Sequence, residues 1–123
     1  MTEIVYKELS YRLVGAAMEV HRILGPGYLE IVYQRALAQE LTLRGIPFEQ
    51  SKRLPVTYKG VPVGNYKADM VIEEKIIVEL KGVSTLHPRH HAQALNYLAA
   101  TGFRLAILLN FGADSLQNIR VLR

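Results

Sequence analysis

Residues 68–81, Ala68-Asp69-Met70-Val71-Ile72-Glu73-Glu74-Lys75-Ile76-Ile77-Val78-Glu79-Leu80-Lys81, are the most informative stretch of the chain. Two apolar runs flank a charged triplet, the pattern of two antiparallel strands joined by a short turn. In the second run Ile76, Val78 and Leu80 share one face, and Ile77, Glu79 and Lys81 share the other. Apolar residues on both faces predict a strand covered on both sides, so Glu79 is a carboxylate placed where charge is costly. If Glu73-Glu74-Lys75 forms the loop, Ile72 pairs with Ile76 and Asp69 falls opposite Glu79, with Cβ atoms about 5 Å apart. A two-residue loop would send Asp69 to the other face, so the pairing depends on register. Two carboxylates so close repel, and one must bind a proton unless a cation lies between them. Lys81, on the face of Glu79, supplies one positive charge. A divalent ion would supply more, and all-oxygen ligands favour magnesium or manganese over zinc. A buried Asp/Glu/Lys salt-bridge cluster with no ligand is the alternative these three residues leave open.

Outward from this hairpin the pattern changes. Between Glu3 and Leu24, residues Ile4, Leu9, Leu13, Ala16, Ala17, Val20 and Leu24 recur at helical spacing, and Gly25-Pro26-Gly27 ends the run. A second helical pattern with Leu29, Val32, Tyr33, Ala36, Leu37 and Leu41 stops at Gly45. Val56-Thr57-Tyr58 and Val61 onward alternate about Lys59-Gly60, predicting a strand, a tight turn and the strand that carries Asp69. Pro88 opens a helix that runs to Gly102, expected to pack through Ala92, Leu95 and Ala99. Leu105–Leu109 reads as a buried strand and Ile119–Leu122 as a last one. The expected fold is α/β, a mixed sheet flanked by helices in the order ααβββαββ, with residues 1–123 as one domain.

The chain has 123 residues, no cysteine, and a formal net charge of +4. Disulfides, thiolate zinc sites and cysteine nucleophiles are thereby excluded. No apolar run reaches the roughly 18–20 residues of a membrane helix, and Met1-Thr2-Glu3 carries no signal-peptide pattern, so no membrane partner and a cytoplasmic location are expected. A pI near 9.5 suits a polyanionic partner but is spread along the chain without a basic tail. No GxSxG, GxxxxGK[ST] or GxGxxG motif is present.

Asp69, nine intervening residues, then Glu79-Leu80-Lys81 resembles the signature of the PD-(D/E)XK (restriction-endonuclease-like) superfamily, with Ala68 where the name has proline. Gly27-Tyr28-Leu29-Glu30-Ile31-Val32-Tyr33 resembles the motif that names the small GxxExxY group of that superfamily. The likeness continues through Tyr58-Lys59-Gly60, Gln93-Ala94-Leu95-Asn96-Tyr97-Leu98 and Leu109-Asn110-Phe111-Gly112, from about Leu13 onward. The resemblance implies metal-binding roles for Glu30, Asp69 and Glu79, and for Lys81 the orientation or activation of the attacking water. Read alone, Glu30 is an acid suited to a helix start. Gln93 and Tyr97, four apart on one helix face, are similar to the QxxxY element of RecB-type nucleases, which lies beside the active site; otherwise they are a half-exposed helix face. His21 resembles an early-helix metal ligand of RecB-type enzymes, or is simply a histidine favoured by a helix C-terminus. His87, His90 and His91 show no zinc spacing; with Arg89 they suit contact with a phosphate backbone. Lys52, Arg53, Lys59 and Lys67 could extend that surface, or be ordinary hairpin charges.

Together these readings predict an Mg2+- or Mn2+-dependent nuclease that cleaves phosphodiester bonds of nucleic acid, DNA ahead of RNA, by a metal-activated water. The alternatives are a catalytically silent nucleic-acid-binding or adaptor protein that keeps the fold, or a small interaction protein whose acids anchor a salt-bridge network. Exposed parts of the sheet in so small a chain also suggest a homodimer.

Overall fold

The computed structural model describes residues 3–123; Met1 and Thr2, part of the N-terminal reading above, lie outside it. The helices are α1 (Lys7–Leu24), α2 (Glu30–Leu43) and α3 (Pro88–Thr101). The strands are β1 (Phe48–Tyr58), β2 (Val61–Ile72), β3 (Ile76–Lys81), β4 (Leu105–Asn110) and β5 (Gln117–Leu122). They form one sheet in sequence order, with β3 and β4 parallel across the α3 crossover and the other neighbours antiparallel. This is the expected α/β order.

Two cores sandwich the sheet. On one side Leu9, Leu13, Ala16 and Val20 of α1 and Tyr33, Leu37 and Leu41 of α2 pack on Met70, Ile72, Ile76, Val78, Leu80, Ile107 and Leu109. On the other, Ala94 and Leu98 of α3 pack with Leu54, Tyr66, Ala68, Val71, Ile77, Ala106 and Leu108. β4 is buried along its whole length, as a parallel strand covered on both faces should be. No helix among the described residues is long and apolar enough to cross a membrane.

Both hairpin turns follow their local chemistry. Lys59 and Gly60 have φ of 48° and 80°, the two left-handed positions of a tight hairpin turn. Ile72 pairs with Ile76, so the β2–β3 loop is Glu73-Glu74-Lys75, and the register is the one required to set Asp69 against Glu79.

Three expectations need correction. β1 begins at Phe48, well before Val56; Glu49–Arg53 lack apolar alternation and Pro55 lacks an N–H, both tolerable only because β1 is an edge strand. The first helix begins at Lys7 rather than Glu3, because Tyr6 takes a left-handed conformation with φ of 50°. The stripe of α3 that meets the sheet is Ala94, Tyr97 and Leu98, while Ala92 and Ala99 are exposed and Leu95 is 36% exposed. α3 carries two apolar stripes, and stacking of Tyr97 on Tyr66 accompanies the one that is buried.

Candidate active site

β2 and β3 pair only from Met70↔Val78 to Ile72↔Ile76 and then part, although β2 stays paired with β1. The parting falls at Asp69 and Glu79. β2 also changes phase there: Tyr66 and Ala68 enter the α3-side core, whereas Met70 and Ile72 enter the other. Ser51, at the matching place on β1, is left-handed with φ of 51°. Where the ladder stops, the Asp69 side chain takes over: its Oδ2 accepts the Leu80 backbone N–H at 2.8 Å. The Asp69 carbonyl in turn accepts Gln34 Nε2 of α2 at 3.1 Å.

Glu79 stands on the face of Ile77 and Lys81. Its Oε1 accepts a hydrogen bond from the Tyr66 hydroxyl. The Tyr66 ring is stacked on Tyr97, with centroids 3.6 Å apart and planes 13° from parallel. Tyr97 of α3 thus reaches the acid through Tyr66, whereas Gln93 is exposed and has no side-chain hydrogen bond among the described residues.

Burial pushes the Glu79 carboxyl up to about 7; Lys81 and the Asp69 amide oppose this, and the charge of Glu30 adds to it. Burial also raises Asp69, against the Leu80 amide, Lys81 and Lys67. Both acids therefore sit where ionisation is under-compensated, as functional carboxylates often do. Lys81 is half-buried and makes no ion pair among the described residues, so its charge acts on both acids without being tied to either.

Glu30, the first residue of α2, is aimed by the loop before it. The Tyr33 hydroxyl donates to the Gly25 carbonyl at 2.6 Å and accepts the Tyr28 N–H at 3.1 Å, fixing the Gly25–Tyr28 bend. Gly25 and Gly27 have φ of 68° and 114°, conformations that favour glycine. Glu30 then lies beside the end of β3: a Cβ on Gly82 would stand 3.3 Å from its Cγ. Glu30 and Gln34, four apart, turn one face of α2 toward the parted strands.

Beyond Lys81 the chain is held by Asn110, which is fully buried. Its Oδ1 accepts the N–H groups of Val83 and Gly112, both at 3.0 Å, and its Nδ2 donates to the Val83 carbonyl and Gln117 Oε1, both at 2.8 Å. Phe111 N–H also bonds the Lys81 carbonyl at 2.9 Å.

From α3, His90 faces this region. Its pKa is lowered first by desolvation and then by the charges of Lys81, Arg89 and His87, with Glu30 opposing. Its Nδ1 accepts the His87 N–H at 3.0 Å, which leaves the proton of the neutral ring on Nε2. His87 Nδ1 caps the Arg89 N–H, also at 3.0 Å. Arg89 and His91 are exposed.

His21 lies elsewhere. It is buried, its Nε2 meets the Ala113 carbonyl at 2.9 Å, and its ring stacks on Phe111, which stacks on Tyr33. No hydrogen bond or ion pair joins it to the four charged residues among the described residues. Nor, among these residues, do three or more His, Asp or Glu side chains form a closed metal-holding group. Tyr66, Gln34 and Asn110 are the positioning groups missing from the sequence reading. Only Tyr66 left a signal there, as a large polar aromatic on the inward face of its strand.

The sequence profile of the PD-(D/E)XK nuclease superfamily matches residues 7–122. No curated protein matches the chain. Among solved structures, an alkaline exonuclease from Laribacter hongkongensis is similar over 100% of this chain and 72% of its own, with 13% identity and a TM-score of 0.45. That likeness is too distant to bear on activity. The profile match spans both helices of the first layer, the parted strands and the sheet to its last strand, and the chain belongs to the PD-(D/E)XK nuclease superfamily.

Proposed function

We propose that this chain is a magnesium- or manganese-dependent nuclease that hydrolyses phosphodiester bonds of nucleic acid, DNA ahead of RNA. The carrying observation is the juxtaposition of Asp69, Glu79 and unpaired Lys81 where β2 and β3 part. The donor chemistry fits a hard divalent cation: two carboxylates raised by burial, a third acid at their rim, and neither cysteine nor an assembled histidine set. Asp69 and Glu79, with Glu30, are the assigned ligands. A bound ion would lower the pKa of a water and offset charge developing on the phosphate. Lys81 holds and orients the attacking water and faces the same charge. The Leu80 amide fixes Asp69 and the Tyr66 hydroxyl fixes Glu79, so both carboxylates are oriented before substrate arrives. Arg89 contacts the substrate backbone, and Tyr97 acts from beside the site through Tyr66. We assign His21 a bracing role rather than ligation.

This reading takes residues 1–123 as one domain of the GxxExxY group, Gln93 and Tyr97 as its QxxxY element, and the cytoplasm as its location; it leaves room for a homodimer. The test is cleavage of labelled single-stranded, duplex and branched DNA and of RNA, with magnesium, manganese or chelator, beside Asp69→Asn and Lys81→Ala. Metal-dependent cutting lost in both folded variants is the expected result. Folded wild type that binds nucleic acid but cuts none would replace the nuclease with an adaptor.

A further inference from the structure

The β1–β2 hairpin continues well past the place where β3 leaves it. From Lys52↔Ala68 the ladder runs on to Tyr58↔Val61 with no third strand. The seven residues from Lys52 to Tyr58 give this arm a reach of roughly 23 Å at about 3.3 Å per residue. Its base is anchored on the α3 side by Leu54 and Tyr66, both buried, and by the stack of Tyr66 on Tyr97. Its opposite face is open.

That open face is charged in an unusual way. Arg53 and Lys67 are direct cross-strand partners and both are exposed, although like charges directly opposite destabilise a sheet. From Gln50 to Ala68 the chain has four basic residues and no acidic one. Lys52 is paired with Glu49 at 2.9 Å, but Arg53, Lys59 and Lys67 make no ion pair among the described residues. Lys67 is near enough to Asp69 to lower its pKa, which joins the basic pair to the candidate active site. At the tip, Lys59 lies 5.4 Å from the Tyr58 ring centroid, and Val61 and Val63 are exposed beside them.

We propose that the arm is a docking surface for duplex DNA: Arg53 and Lys67 hold phosphates next to the one under attack, and the ribbon follows the duplex away from the site. The inference rests on the nuclease reading for the phosphate under attack, but the surface itself is tested by binding alone. A two-stranded ribbon fits the major groove of B-form DNA. A reach of roughly 23 Å spans about seven base pairs at 3.4 Å each. Pairing of β1 with a second copy is disfavoured by Pro55, by the kink at Ser51, and by repulsion between two basic arms.

The experiment measures binding of a 24-base-pair DNA duplex by fluorescence anisotropy in chelator, over a range of salt, with Lys81→Ala as the background. Arg53→Gln with Lys67→Gln should weaken binding tenfold or more and flatten the log K against log salt slope by about 2, since each phosphate contact contributes about 0.9. Lys75→Gln with Arg104→Gln removes two charges at the far end of the sheet and should change both quantities little. Duplexes shortened below about seven pairs beyond the arm's base should lose the advantage of the wild-type arm. Equal weakening by the two double variants, no weakening by the arm pair, no DNA binding at all, or tighter binding of single-stranded DNA or of RNA would each overturn the proposal. If the protein binds duplex through the arm yet cuts nothing, the surface stands and the nuclease reading falls.

Discussion

Glu79→Gln should make the metal-free protein more stable while abolishing cleavage. In the native state burial lifts Glu79 from an ordinary 4.5 to about 7, with Lys81 and the Asp69 amide only partly opposing it. An acid whose native pKa exceeds its unfolded pKa lowers stability as pH rises between the two values. Below about pH 4.5 both states are protonated and nothing is lost; above pH 7 the full difference applies. Each pKa unit is worth about 1.4 kcal/mol, so the ionised carboxylate costs the native state about 3 kcal/mol at alkaline pH. Glutamine keeps an oxygen to accept from the Tyr66 hydroxyl and carries no charge to desolvate. Thermal unfolding in chelator at pH 8.5 should therefore rise by about 10 °C in the variant, at roughly 4 °C per kcal/mol for a domain of this size. At pH 4.5 the two proteins should melt together, and magnesium should stabilise only the wild type. A variant that melts at or below wild type at pH 8.5 would show that the buried charge is already compensated and that the site has no electrostatic need for a cation.

Two substitutions at other positions separate structure from chemistry. Asp69→Ala removes the acceptor of the Leu80 amide and should cost about 2 kcal/mol in urea unfolding, whereas Asp69→Asn keeps an acceptor and should cost under half as much; both should be inactive, and equal stability losses would contradict the bond. Asn110→Ala strands two buried N–H groups, the Val83 carbonyl and Gln117, and should cost about 3 kcal/mol; a urea midpoint within error of wild type would refute its role in holding the chain after Lys81.

The hairpin of residues 68–81 was legible because its information is local. Alternation fixes which residues face which side, and a three-residue turn fixes the register that sets Asp69 against Glu79. β1 before Val56 was not legible, because an edge strand with one open side needs no apolar alternation and accepts Pro55. The packed stripe of α3 was ambiguous for a different reason. Small residues lie on two of its faces, and only a neighbour 31 residues earlier in sequence, Tyr66 beneath Tyr97, distinguishes them. Gln34 and Asn110 are likewise polar residues whose partners lie 35 and 27 positions away, beyond the reach of any sequence period.

What local reading missed most was that the candidate site is built from interruptions of regular structure. Continued pairing of β2 with β3 would satisfy backbone groups within the ladder, and regular alternation would keep β2 in one phase. The strands instead part, and the Asp69 carboxylate accepts the Leu80 N–H. Gly25 and Gly27 break the helical run, and the Tyr33 hydroxyl bonds both arms of the bend so that α2 starts at Glu30. β3 ends at Lys81, and Asn110 bonds the departing chain. In each case one polar side chain satisfies backbone groups that an unbroken element would have paired, so the breaks cost little and leave the charged residues between them clear of the ladder. The acids are consequently held more rigidly than loop residues would be, yet remain poorly compensated in charge. Rigid placement without electrostatic satisfaction is the condition under which a cation or a phosphate gains most by binding.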